Sequence, residues 1–134
     1  MLVLLLYLLP TLVGLVAFWL PPGPRVRLLL PAVGIVHLLL SILAWNEPPG
    51  GGWLGLDALG RIFLGITSLL FLATSVYAVY YLRDEPAGMQ PDMRGENPFS
   101  NAKESVFVGC LLLFLASMTL VCSSRHLTLL WVAI

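Results

Sequence analysis

A chain of 134 residues that is 59% hydrophobic and only 10% charged is not composed like a soluble domain, in which about a quarter of residues carry charge. Its mean hydropathy of +0.94 points the same way, to a membrane protein with lipid as its first partner. A formal net charge of zero leaves no basic footprint for nucleic acid, which is excluded as a partner.

The apolar residues fall into blocks at 1–20, 28–46, 58–82 and 105–122, with a fifth beginning at 126–134. Each complete block is close to the ~20 helical residues that cross a ~30 Å hydrocarbon core. The expected fold is therefore all-α and polytopic, with four complete transmembrane helices and the start of a fifth. Because the fifth block is short and carries no helix stop, the chain reads as the front part of a longer polytopic protein. Met1 to Leu6 lacks the charged stretch of a secretory signal, so the first block is read as a retained span.

Turn chemistry sets the limits. Pro21-Pro22-Gly23-Pro24 ends the first span and Pro48-Pro49-Gly50-Gly51-Gly52 follows the second, since proline lacks the amide donor and glycine is conformationally loose. Asp57 is placed to N-cap the third helix, and Asn101 with Glu104 resembles a capping box opening the fourth. Pro31, close to the start of the second span, reads as a first-turn proline. The segment Asp84 to Asn101, rich in Pro, Gly and charge, reads as a loop with too little apolar content for its own domain.

Loop charge gives an orientation. The first and third connections carry Arg25, Arg27, Arg83, Arg94 and Lys103, against Arg125 alone on the other side, or Arg125 and Arg61 if the end of span three is included. The positive-inside rule then puts those two connections in the cytoplasm and the N-terminus outside the inner membrane. Trp19, Trp45, Trp53 and Trp131 sit at or near segment ends, where an amphipathic ring prefers the headgroup zone.

Within the spans, small and hydroxyl residues recur at heptad spacing. Span three has Gly60, Thr67, Thr74 and Tyr81 with Ser68 and Ser75 beside them, and span four has Gly109, Ala116 and Ser123. Such stripes let helices approach closely in lipid and read as packing seams. His37 is the one ionisable group near the middle of a complete span, with Gly34 and Ser41 on its face. Intramembrane ionisable groups are rare and mark ion paths, so His37 and Asp57 are the candidate ion-pathway residues. The competing readings are a neutral histidine hydrogen-bonded to a neighbouring helix, and an aspartate that only caps span three.

No cofactor or metal is expected on this chain. Two histidines and two cysteines at these spacings match neither usual zinc cluster, and Cys110 and Cys122, ~18 Å apart on one helix, cannot bridge within it. There is no phosphate-binding glycine loop and no nucleophile beside a base.

The run Trp53-Leu54-Gly55-Leu56-Asp57-Ala58-Leu59-Gly60-Arg61-Ile62-Phe63 resembles the entry to the third helix of antiporter-like proton-translocating subunits. This family is shared by respiratory complex I, membrane-bound hydrogenases of the hydrogenase-4 and formate hydrogenlyase kind, and multisubunit sodium/proton antiporters. Phe114-Leu115-Ala116-Ser117-Met118 and Leu127 to Ile134 resemble its fourth helix and the start of its fifth. The tyrosine-rich run Tyr77 to Leu82 resembles the hydrogenase-4 branch most. The resemblance implies a non-catalytic membrane subunit of an oxidoreductase complex, other membrane subunits as partners, and redox centres held elsewhere. It also implies pumping residues in the fifth and later helices, outside this sequence. A sodium/proton or bicarbonate-linked transporter of the same family, and a small membrane scaffold or assembly protein, are the alternatives.

Overall fold

A computed structural model describes residues 2–21, 23–46, 55–84, 90–91, 98–99 and 104–125. Four helices dominate: α1 (Leu2–Ala17), α2 (Pro24–Leu43, continued by a 3₁₀ turn Ala44–Asn46), α3 (Ala58–Asp84) and α4 (Glu104–Ser123). In the connection between α3 and α4, β1 (Gln90–Pro91) and β2 (Pro98–Phe99) form a two-residue antiparallel pair. The described residues are otherwise mainly helical, and among them three helices are long and apolar enough to cross a membrane: Pro24–Asn46, Ala58–Arg83 and Glu104–Ser123. α1, at 16 residues, is shorter than the expected 1–20 span. The expected start of a fifth helix, along with Trp53 and Trp131, lies outside the described residues.

Two boundaries differ from the sequence reading for local reasons. α1 stops at Ala17 and tightens, Trp19 N–H bonding to Val16 O and Leu20 N–H to Ala17 O, because a residue before proline disfavours the α conformation. α2 begins four residues earlier than expected, at Pro24, whose missing amide costs nothing in a first turn. Arg25 and Arg27 are thus helical, and Pro31 lies inside the helix instead of in its first turn. Glu104 opens α4, and its carboxylate forms a bidentate ion pair with Arg27, with Arg27 Nε 3.0 Å from Glu104 Oε2. Asn101 lies outside the described residues.

The helices run alternately up and down. α1 packs chiefly on α4 and α2 chiefly on α3, while α3 meets α4 and α2 meets both α1 and α4 more lightly. Arg27 and Glu104 bring the starts of α2 and α4 together, and Ser105 Oγ donates to Leu20 O at 2.7 Å, tying the start of α4 to the end of α1. Ala17, Val26, Leu82 and Val108 belong to the cluster that includes this end, and Leu6, Ala44, Leu56 and Leu64 form a second cluster. Pairing at the Arg27–Glu104 end should couple α2 to α4 by about 1 kcal/mol, the range for partly exposed bidentate pairs. A double-mutant cycle of Arg27→Ala and Glu104→Ala, read as bundle stability in a mild detergent, is expected to return that coupling and lose it at high salt.

What faces inward is as informative as the architecture. The bundle's outer face carries leucines such as Leu12, Leu59, Leu69 and Leu70, each more than half exposed, while His37, Ser41, Ser68, Ser75, Thr119 and Ser123 are buried. Water would penalise that arrangement and hydrocarbon favours it. Small residues make the interior possible. A Cβ on Gly109 would lie 2.9 Å from the Phe18 ring and 3.0 Å from Gly14 O, and one on Gly14 would lie 3.2 Å from Gly109 O. The α1–α4 crossing is therefore a glycine-to-glycine approach.

The seam expected on α4 is present, with Gly109, Ala116 and Ser123 all buried. The seam expected on α3 holds at Gly60, which is buried against Cys122 of α4, and is displaced by one residue beyond it. Ser68 and Ser75 are buried together with Leu64, Phe71, Ala78 and Leu82, whereas Thr74 and Tyr81 are exposed and Thr67 is half-buried. A step of one residue turns a helix by about 100°, which carries the Thr67–Thr74–Tyr81 stripe out of the interior.

Candidate functional site

The most polar point of the interior is where α2, α3 and α4 meet. On α2, Gly34, His37 and Ser41 occupy one face and all three are buried. The three-four spacing that makes this face apolar-sided elsewhere puts His37 inward, and no part of its side chain reaches solvent or lipid. His37 Nδ1 is 2.8 Å from Ser68 Oγ on α3, and Nε2 is 2.9 Å from Thr119 Oγ1 on α4. Both ring nitrogens are engaged, each by a different helix.

The two hydroxyls are also bonded to their own helices. Ser68 Oγ lies 2.7 Å from Leu64 O and Thr119 Oγ1 lies 2.8 Å from Leu115 O, the usual back-bonding of a mid-helix Ser or Thr to the carbonyl four residues earlier. One turn further along α4, Ser123 Oγ donates to Thr119 O at 2.9 Å, and on α2 Ser41 Oγ donates to Leu38 O at 2.9 Å. Ser75 Oγ on α3 donates to Leu72 O at 2.7 Å. These hydroxyls bond back to helix carbonyls and not to one another. His37 joins three helices here through its two ring nitrogens, and a Thr67–Cys122 side-chain contact joins α3 to α4 nearby.

Asp57, the other candidate, sits elsewhere. Its Oδ1 accepts from the Gly60 N–H at 2.6 Å, and its carbonyl accepts from Arg61 N–H at 3.0 Å, which is the geometry of an N-cap opening α3. The side chain is exposed. Ser68, the α3 partner of His37, is eleven residues beyond it, about 16 Å along the helix axis. The structure does not bring His37 and Asp57 together. Nearby, Arg61 Nη1 donates to Trp45 O at 3.1 Å, and Gly55 N–H donates to Ser123 O at 2.9 Å, so the Asp57 end is knitted to the ends of α2 and α4.

A groove of about 250 Å³ opens between α3 and α4, lined by Thr67, Phe71 and Thr74 from one helix and Leu111, Phe114 and Met118 from the other. Its walls are apolar, and the Thr74 hydroxyl is spent on Leu70 O at 2.8 Å. This is a place for hydrocarbon and not for an ion. Among the described residues no three His, Cys, Asp or Glu side chains converge. Cys110 is exposed and Cys122 half-buried, both as free thiols.

Sequence reasoning placed His37 inward but did not find Thr119 as its partner. The signal was available. Gly109, Leu112, Ala116, Thr119 and Ser123 follow a three-four alternation along α4, and a strict seven-residue step retains only alternate members of that face. Comparison with protein-family models, with curated proteins and with solved structures finds no match to this chain.

Proposed function

We propose that this chain supplies the N-terminal helices of a proton-translocating, antiporter-like membrane subunit in a redox-driven complex of the hydrogenase-4 or complex I type. The runs from Trp53 to Phe63 and from Phe114 to Met118 support the family reading. The observation that supports the division of labour is the His37–Ser68–Thr119 cluster: the interior's central polar groups are committed to joining helices. In this reading His37 is a pin and Asp57 a cap. The charge-carrying groups belong to later helices and to partner subunits, and the four helices are a scaffold that completes the path without containing it.

In this reading α1 crosses as well, making four spans before a fifth, with the N-terminus outside the inner membrane. The Arg83 to Lys103 connection then lies in the cytoplasm, following the loop-charge bias. Cysteines introduced singly by Gly51→Cys and Gly88→Cys should label from opposite sides with an impermeant maleimide, in a background lacking Cys110 and Cys122. Labelling of the Gly88→Cys protein from outside alone would invert the topology.

The function is tested in inverted membrane vesicles energised through the redox complex. Removing the chain is expected to abolish substrate-driven proton or sodium uptake, and supplying it should restore uptake. Unchanged uptake would refute the reading. Loss of the assembled complex, with pumping per remaining complex intact, would identify an assembly factor instead.

A further inference from the structure

The contacts around His37 contain a shortage of hydrogens. There are four short polar contacts in series: Leu64 O to Ser68 Oγ, Ser68 Oγ to His37 Nδ1, His37 Nε2 to Thr119 Oγ1, and Thr119 Oγ1 to Leu115 O, at 2.7, 2.8, 2.9 and 2.8 Å. Each hydroxyl owns one hydrogen and the imidazole, kept neutral because no counter-charge among the described residues faces it where a buried charge is costly, owns one, so three hydrogens serve four contacts. One contact must go without. A vacancy on a ring nitrogen would strand a polar atom buried between three helices, whereas Leu64 O and Leu115 O, lying within α3 and α4, retain their backbone partners.

From this count we infer that His37, Ser68 and Thr119 form a two-tautomer switch shared between α3 and α4. With the ring hydrogen on Nδ1, the ring donates to Ser68, Ser68 donates to Leu64 O, and Thr119 turns from Leu115 O to donate to Nε2. With the hydrogen on Nε2, the ring donates to Thr119, Thr119 donates to Leu115 O, and Ser68 turns from Leu64 O to donate to Nδ1. Each tautomer makes three hydrogen bonds. Which hydroxyl leaves its own helix depends only on where the ring carries its hydrogen, so a change in packing at α3 or at α4 is read out by the imidazole.

This device is independent of the family reading and is tested without any transport assay. The protein carries two histidines, so in ¹⁵N-histidine-labelled chain reconstituted in bilayers the signals that vanish in His37→Gln belong to His37. Ser68→Ala removes the partner of Nδ1. A ring hydrogen on Nε2 then yields two bonds through Thr119 and Leu115 O, against one bond for the other tautomer, so the protonated-type ¹⁵N signal should move to Nε2. Thr119→Ala should move it to Nδ1 by the same count. The native protein should show both forms or their average. Ser68→Thr and Thr119→Ser, which retain a hydroxyl at each place, should restore the native pattern and guard against a folding defect in the alanine variants. The same tautomer in Ser68→Ala and Thr119→Ala, or an unchanged tautomer in both, would overturn the inference.

Discussion

Replacing Gly60 by alanine is expected to destabilise the bundle by about 2–3 kcal/mol, the upper part of the range for overpacking a close contact. A Cβ at this position would lie 2.5 Å from Cys122 O and 2.7 Å from Asp57 Oδ1. The first of those atoms is backbone of α4 and cannot swing aside as a side-chain end would. The second belongs to the cap of α3, so the methyl group would both part the helices and disturb the cap's 2.6 Å bond to the Gly60 amide. Gly65, five residues on, supplies the control, since nothing lies within 4 Å of a Cβ there. Gly65→Ala should be neutral or gain up to about 1 kcal/mol from helix propensity. Denaturation in mixed micelles, followed by helical circular dichroism or by protease access, separates the two variants; equal stabilities would show that α3 and α4 do not approach at this point.

The second large effect is expected at His37. In lipid, separated helices already bury their apolar faces, so the transfer term that dominates core mutations in water falls away and packing and hydrogen bonds remain. His37→Ala gives up two interhelical bonds worth about 0.6 kcal/mol each on average in membranes. It also opens a cavity between three helices at a further cost of about 1 kcal/mol, giving a total near 2 kcal/mol. His37→Gln keeps one donor and one acceptor and should cost less than half of that. The same ordering is expected for assembly, while ion translocation by the complete subunit should survive His37→Gln largely intact. A loss of about 100-fold in translocation with assembly preserved would instead make His37 a relay group, since a positioned proton-transfer residue contributes on that scale.

Helix existence was legible in the sequence because hydropathy alone demands it, and the Pro-Gly clusters fixed where spans could not continue. The start of α2 was not legible. Arg25 and Arg27 look like loop residues, and the carboxylate that holds Arg27 in the first turn of α2 belongs to Glu104, 77 residues away. The inward face of α4 was legible at Gly109, Ala116 and Ser123, because a single stripe of small residues was on offer. On α3 two adjacent stripes competed, Thr67–Thr74 and Ser68–Ser75, with nearly the same size and polarity. What separates them is His37, whose Nδ1 needs a partner and finds Ser68; that requirement comes from another helix and leaves no mark on the periodicity of α3. Asp57 as a cap was visible because an N-cap is a local motif closed within four residues.

In the proposed reading these helices are a scaffold and not a path. A conduction route needs ionisable groups spaced through the membrane, and the one buried at mid-span among the described residues, His37, is tied on both sides to hydroxyls that bond back to their own helices. The direct measurement is reconstitution of residues 1–134 in liposomes under an imposed pH or sodium gradient, followed against empty vesicles. The gradient is expected to decay at the rate of the empty vesicles. Specific, saturable flux that falls on substitution of His37 would contradict the claim and make this bundle a transporter in its own right.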